Sequence, residues 1–228
     1  MSVISLSGQS VCQVARAVGS VFTDSNALIL NAKVVEAFNS ASDVFFSTKM
    51  PYSDSFKEAL KTFKGANALA TLPQQIGSIV KSVSWFIERQ SFGALTGCIA
   101  VAAGTINKVY DAASFLDREV AVPFFKGVTE LYKTVHFQAV AVGASVRFIV
   151  AAPRVADFCL SGELLKTLQE GRYDSSYIFQ AVESVATMVF AGSILMGGGA
   201  QLTTAASAVG AFTKGVEFYW RGNYKKLL

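Results

Sequence analysis

Apolar residues recur at helical spacing along the chain. Leu28, Val35, Phe38, Ala41 and Phe45 follow steps of three, four and seven, as do Ile76, Ile79, Val80, Val83 and Ile87, which places one apolar stripe on each of two helices. No alternation of apolar and polar residues bounded by turn residues is long enough for a strand. The four prolines, Pro51, Pro73, Pro123 and Pro153, each remove a backbone donor and oppose helix at the preceding residue. They are expected to cut the chain into five pieces. The pattern predicts an all-α bundle of about seven to nine helices. An amphipathic region over residues 1–90 and a more apolar region over 91–228 make up one continuous domain, with no repeat or linker between them.

The polar positions sharpen this picture because charge comes in blocks. Windows over residues 65–80, 90–107 and 184–213 hold no Asp, Glu, Lys or Arg, and neither does 134–146, which contains the sole histidine, His136. Only 16% of the 228 residues are charged and 52% are hydrophobic, against about 25% charged in soluble domains. Mean hydropathy is +0.41. Blocks of this kind suggest a chain that alternates between an apolar environment and water.

Length tests that idea, since a helix needs about 20 mostly apolar residues to cross about 30 Å of hydrocarbon. The window 90–107, "QSFGALTGCIAVAAGTIN", has roughly that length but is rich in Ala, Gly and Thr. The run 136–152, "HFQAVAVGASVRFIVAA", carries Arg147, which costs a few kcal/mol at a span centre and less if it snorkels toward an interface with Arg154. The longest window contains "ATMVFAGSILMGGGAQLTTAASAVGAF", broken by Gly197, Gly198 and Gly199. Either one helix crosses with the glycines as a packing face, or the glycines turn and make a hairpin with arms of about 21 Å each, too short to cross separately. The first alternative is preferred. Two to three apolar helices of the C-terminal half are thus expected to insert in a membrane.

Several residues fit the boundary of such a membrane. In "SDSFKEALKTFKG", capped by Ser53 or Asp54, Phe56, Leu60 and Phe63 share a side, with Lys57, Lys61 and Lys64 in a stripe beside it. A helix at a bilayer surface carries this pattern, and so does an ordinary surface helix with solvated lysines. Both tryptophans, Trp85 in "WFIER" and Trp220 in "EFYWRGNYKKLL", flank apolar windows, and Lys225 and Lys226 follow as basic anchors. The terminal "KKLL" also resembles a dilysine retrieval signal. Small residues four apart, Gly93 with Gly97, Ser193 with Gly197, and Ala206 with Gly210, suit close helix packing, although small residues are abundant enough to pair by chance.

Chemistry is sparse. One histidine, expected at a helix end, excludes arrangements that need two, and it has no spaced Cys or carboxylate partner, so neither a metal site nor a catalytic set is expected. "GGGAQLTT" lacks the lysine and preceding strand of a phosphate loop. Cys12, Cys98 and Cys159 are far apart and read as reduced, buried thiols. A net charge of +4 with interleaved acids and bases argues against nucleic acid as a partner. No cofactor is implied. The expected partners are a lipid bilayer, and another protein or the chain itself.

The Ser-rich start, the Ala/Gly/Ser-rich apolar segments and the glycine-broken apolar block resemble, over about the last third of the chain, the small hydrophobic membrane proteins of chlamydiae, inclusion membrane proteins among them. The resemblance implies a bilobed apolar anchor, secretion into a host-derived membrane and protein–protein interaction. It carries over no binding residue. The block is shorter than that family's two lobes, and further apolar windows lie upstream. The expected function is that of a helical membrane protein, multi-pass or hairpin-inserted, with a structural or interaction role and no catalysis. The competing expectation is a soluble cytoplasmic all-α module whose central helices are buried on every side.

Overall fold

The structure, a computed structural model, describes residues 25–119, 129–163, 166 and 176–218. Among these residues every regular element is a helix. The six are α1 (Ser25–Phe46), α2 (Ser53–Arg89), α3 (Phe92–Glu119), α4 (Thr129–Leu160), α5 (Ser176–Leu195) and α6 (Ala200–Phe218). Each packs on the helix before and after it in sequence, and α6 also packs on α1, so the circuit closes. α1 rests more extensively on α6 than on its sequence neighbour α2.

Among the described residues six helices stand where the pattern predicts seven to nine for the whole chain, and the prolines explain part of the difference. Pro73 and Pro153 lie inside α2 and α4 rather than between helices. Both are exposed, as are Leu69 and Ile149 one turn earlier. The carbonyl that each proline leaves without a donor therefore faces outward, away from the packed side, where the defect costs least. Only Pro51 punctuates as expected, just ahead of α2; Pro123 lies outside the described residues. The expected Ser53 or Asp54 cap is also displaced. Tyr52 is the N-cap, in the left-handed region at φ 62°, and makes no side-chain cap bond. Asp54 instead accepts a 2.6 Å bond from Lys49.

The periodic apolar residues are helical, as their spacing predicts, but most of them face outward, with Leu28, Ala41 and Ile79 half-buried. Phe38 is 63% exposed, Ile87 64% and Phe212 65%, and Val35, Phe45, Ile76 and Val80 are exposed with them. The buried apolar residues among those described are nearly all alanine, with Leu30, Leu60 and Val146 the exceptions, and the buried polar ones are mostly Ser and Thr. Close approach of helices, rather than a core of large side chains, holds the bundle together. Gly65 of α2 marks the tightest point: a Cβ there would overlap the Cβ of Phe115 and lie 3.0 Å from the Asp111 carbonyl oxygen on α3. At Gly215 of α6 an added Cβ would meet Val34 of α1 at 3.5 Å, where the circuit closes.

Candidate membrane-facing surface and buried charge node

Among the described residues three helices are long and apolar enough to cross a membrane: Phe92–Glu119, Leu131–Leu160 within α4, and Ser176–Leu195. They coincide with the first two windows read from the sequence and with one arm of the third. The third window is a hairpin. Gly197 turns the chain at φ +68°, its N–H donates to the Ile194 carbonyl, and the Gly198 N–H donates to Ser193. This pair of bonds closes the C-terminus of α5 on its last free carbonyls. The Ser193 and Thr203 hydroxyls, 2.6 Å apart, tie the two arms just beyond the turn. Gly197, Gly198 and Gly199 thus lie between helices and not on a helical packing face, so the preferred single continuous helix gives way to its alternative.

The hairpin brings together the charges that bound the apolar window. Glu183, 5% exposed, receives Lys214 of α6 at 3.6 Å and Arg147 of α4 at 3.4 Å, both on Oε1. The Thr187 hydroxyl donates to the same oxygen at 3.3 Å. Two cations and a hydroxyl on one carboxylate oxygen offset part of the cost of burying it, a cost of several kcal/mol for an unpaired ion. The same contact answers the expense of Arg147 within an apolar run. α5 extends about two turns beyond Glu183 and α6 about one turn beyond Lys214, so α5, with 20 residues, reaches about 30 Å, a full hydrocarbon thickness. The arms are short only if these charges must lie in water.

A second polar group gathers near α3 and α4. His136 lies inside α4 rather than at its end. Its ring stacks on Tyr110 of α3 with centroids 4.1 Å apart, and Tyr110 stacks in turn on Tyr132 at 5.8 Å. His136 Nδ1 and Asn107 Oδ1 are buried without a hydrogen-bond partner among the described residues.

The residues marked out by sequence fall in several places. Lys61 pairs with Glu58 at 2.7 Å, and its ammonium holds that carboxyl below the usual carboxylate range. Lys64 turns inward to Glu36 of α1 at 3.3 Å, while Lys57 is half-buried. The stripe therefore divides, one lysine of three joining helices instead of facing outward. Trp85 remains 40% exposed, lies 3.4 Å from the position a Cβ would take on Gly97, and carries the Arg89 guanidinium 5.8 Å from its ring centre. Nothing approaches the Cβ position of Gly93 within 4 Å. Ala206 is buried, and Gly210 faces Ala186 and Thr187 of α5, so that pair does line a helix contact. Trp220, Lys225, Lys226 and Cys12 lie outside the described residues. Cys98 is half-buried and Cys159 exposed, so the expectation of buried thiols fails at Cys159.

Sequence reasoning did not single out Glu183 or Lys214. Their signal was near-symmetry: Glu183 stands 15 residues before Gly198 and Lys214 stands 16 after it, so a turn at the glycines sets them face to face. Comparison with known proteins adds no relative to this picture, since no family, no curated protein and no solved structure matches the chain.

Proposed function

We propose that this chain is an integral membrane protein of structural or interaction type, anchored by α3, α4 and α5 and lined inside by a small set of paired charges. The observation that carries the reading is the inverted distribution of side chains. Large apolar residues point outward and small ones fill the helix contacts. In water these exposed large side chains would be apolar surface of the kind that soluble monomers keep to small patches. In lipid the outward residues are solvated by acyl chains, and small residues at the contacts let helices associate by close packing. Helices also satisfy their own backbone hydrogen bonds, as a bilayer requires. If the likeness to inclusion membrane proteins holds, the membrane is a host-derived one and the role is to present the chain to a protein partner.

Carbonate extraction at high pH tests the anchor. The chain is expected to stay with the sedimented membranes. Release into the soluble fraction would overturn the reading and favour a soluble helical binding module.

A further inference from the structure

The turn between α1 and α2 frames a recess of about 430 Å³, lined in part by Lys49, Tyr52, Ser53, Asp54 and Ser55. The recess lies at the N-terminus of α2, a helix of 37 residues, where the aligned backbone dipoles leave a partial positive charge. Tyr52, the N-cap, makes no side-chain cap bond there. The Ser53 N–H donates to the Met50 carbonyl at 3.2 Å and the Phe56 N–H to that of Tyr52 at 2.9 Å, whereas the N–H groups of Asp54 and Ser55 have no acceptor among the described residues. A second observation points the same way. Ser53 is only 4% exposed, yet its hydroxyl makes no hydrogen bond and is not sealed from solvent, so the recess that it lines is where it opens.

Lys49 and Asp54 pair with each other at 2.6 Å and are both well exposed, so they form part of the rim without adding net charge to it. What remains is a pocket with two free N–H donors and an unbonded hydroxyl at the positive end of a helix, which is the kind of donor set that holds a phosphate group. We infer that this recess binds a phosphate ester, with the Asp54 and Ser55 N–H groups and the Ser53 hydroxyl donating to its oxygens and the Tyr52 ring, 85% exposed, lying against its organic part. Position favours a soluble ester over a lipid headgroup. α2 lies antiparallel along α3, with Trp85 beside Gly97 and the Thr62 hydroxyl donating to Glu119 at 2.8 Å. α3 ends at Glu119, and Ser53 precedes Thr62 by nine residues, so the recess stands roughly 13 Å beyond the end of a membrane-length helix. The site therefore does not depend on the membrane proposal.

Amide spectra of the full isotope-labelled chain in detergent, titrated with phenyl phosphate and with inorganic phosphate, read the site directly. Nanodiscs containing phosphatidic acid, compared with phosphatidylcholine alone, test the lipid source. Phenyl phosphate should shift the Asp54 and Ser55 amides in a saturable way and bind more tightly than inorganic phosphate, which lacks a group for Tyr52 to cover. Ser53→Ala should weaken binding about tenfold, the low end for a hydrogen bond to a charged group. That hydroxyl has no protein partner to lose, so thermal unfolding should be unchanged. Ser55→Asp puts a carboxylate on the same helix end; it should raise the unfolding temperature and weaken phosphate binding by about tenfold or more. Loss of binding in a stabilised chain cannot be taken for loss of fold. Ser78→Ala, further along α2, should leave affinity unchanged. Saturable shifts with phenyl phosphate assign a soluble source, and shifts with phosphatidic acid alone assign a lipid one. No saturable shift with any probe, or wild-type affinity in both Ser53→Ala and Ser55→Asp, overturns the inference. Carbonate extraction is scored separately, so the two readings fail independently.

Discussion

At the scale of single residues, Glu183 and Gly65 do what larger side chains do in a soluble core. Glu183→Ala leaves Arg147 and Lys214 facing each other without the carboxylate that joins them. Both cations are partly open to solvent, which moderates the loss. The substitution should cost about 2–3 kcal/mol, below the range for fully buried pairs. Unfolding of the detergent-solubilised chain measures it, and Lys214→Ala, which leaves Arg147 in place, should cost less. Gly65→Ala should cost about 1–3 kcal/mol, because the added methyl overlaps the Cβ of Phe115 and crowds the Asp111 carbonyl, so the two helices must shift apart. Gly77→Ala on the same helix meets nothing within 4 Å and should instead stabilise by roughly 0.4–1 kcal/mol. Equal effects at the two glycines would refute close packing at Gly65. Nothing in the sequence around Gly65 separates it from the other glycines. Its role depends on Phe115, a residue far along the chain, and such a contact has no local signature.

At the scale of elements, the apolar period of α1 and α2 and the apolar windows of α3 and α4 were legible in the sequence, because periodicity and charge depletion are local properties. The side of the helix that faces its neighbours was not. An apolar stripe gives the same pattern whether it meets protein or lipid, and here Phe38, Ile76 and Ile87 turn away from the other helices. Prolines misled for a related reason: whether one ends a helix depends on where its freed carbonyl points, and Pro73 and Pro153 lie on outward faces. The glycine triplet left two geometries open, and the left-handed Gly197 with its two closing bonds gives the turn. Gly197→Ala should therefore cost about 1 kcal/mol through the strain of a positive φ. Gly199→Ala, with no positive φ and nothing within 4 Å, should be nearly neutral. Comparable losses at both positions, read by thermal unfolding, would remove the turn as the explanation.

At the scale of the whole molecule, the proposed membrane setting makes a prediction about access. Cys159 is exposed at the C-terminal end of α4, whereas Cys98 is half-buried within the apolar run of α3. In a Cys12→Ser chain reconstituted in lipid, a polar maleimide should label Cys159 many times faster than Cys98. In detergent with the helices unfolded, the rates should converge. Rapid labelling of Cys98 in lipid would place that part of α3 in water. Compositional shortage of charge pointed toward this setting from the start, but the pairing that makes it tolerable appears only when α4, α5 and α6 are assembled around Glu183.

The meeting of α1 with α6 has a consequence in time. Every other extensive contact among the described helices joins successive ones, so hairpins can dock as synthesis proceeds, with little loop-closure entropy to overcome. α1 must wait for α6, the helix with which it shares most of its packing and which leaves the ribosome after the other five. Until then Val34 lacks its neighbour at Gly215, so the nascent bundle is an open arc that its last-made helix closes.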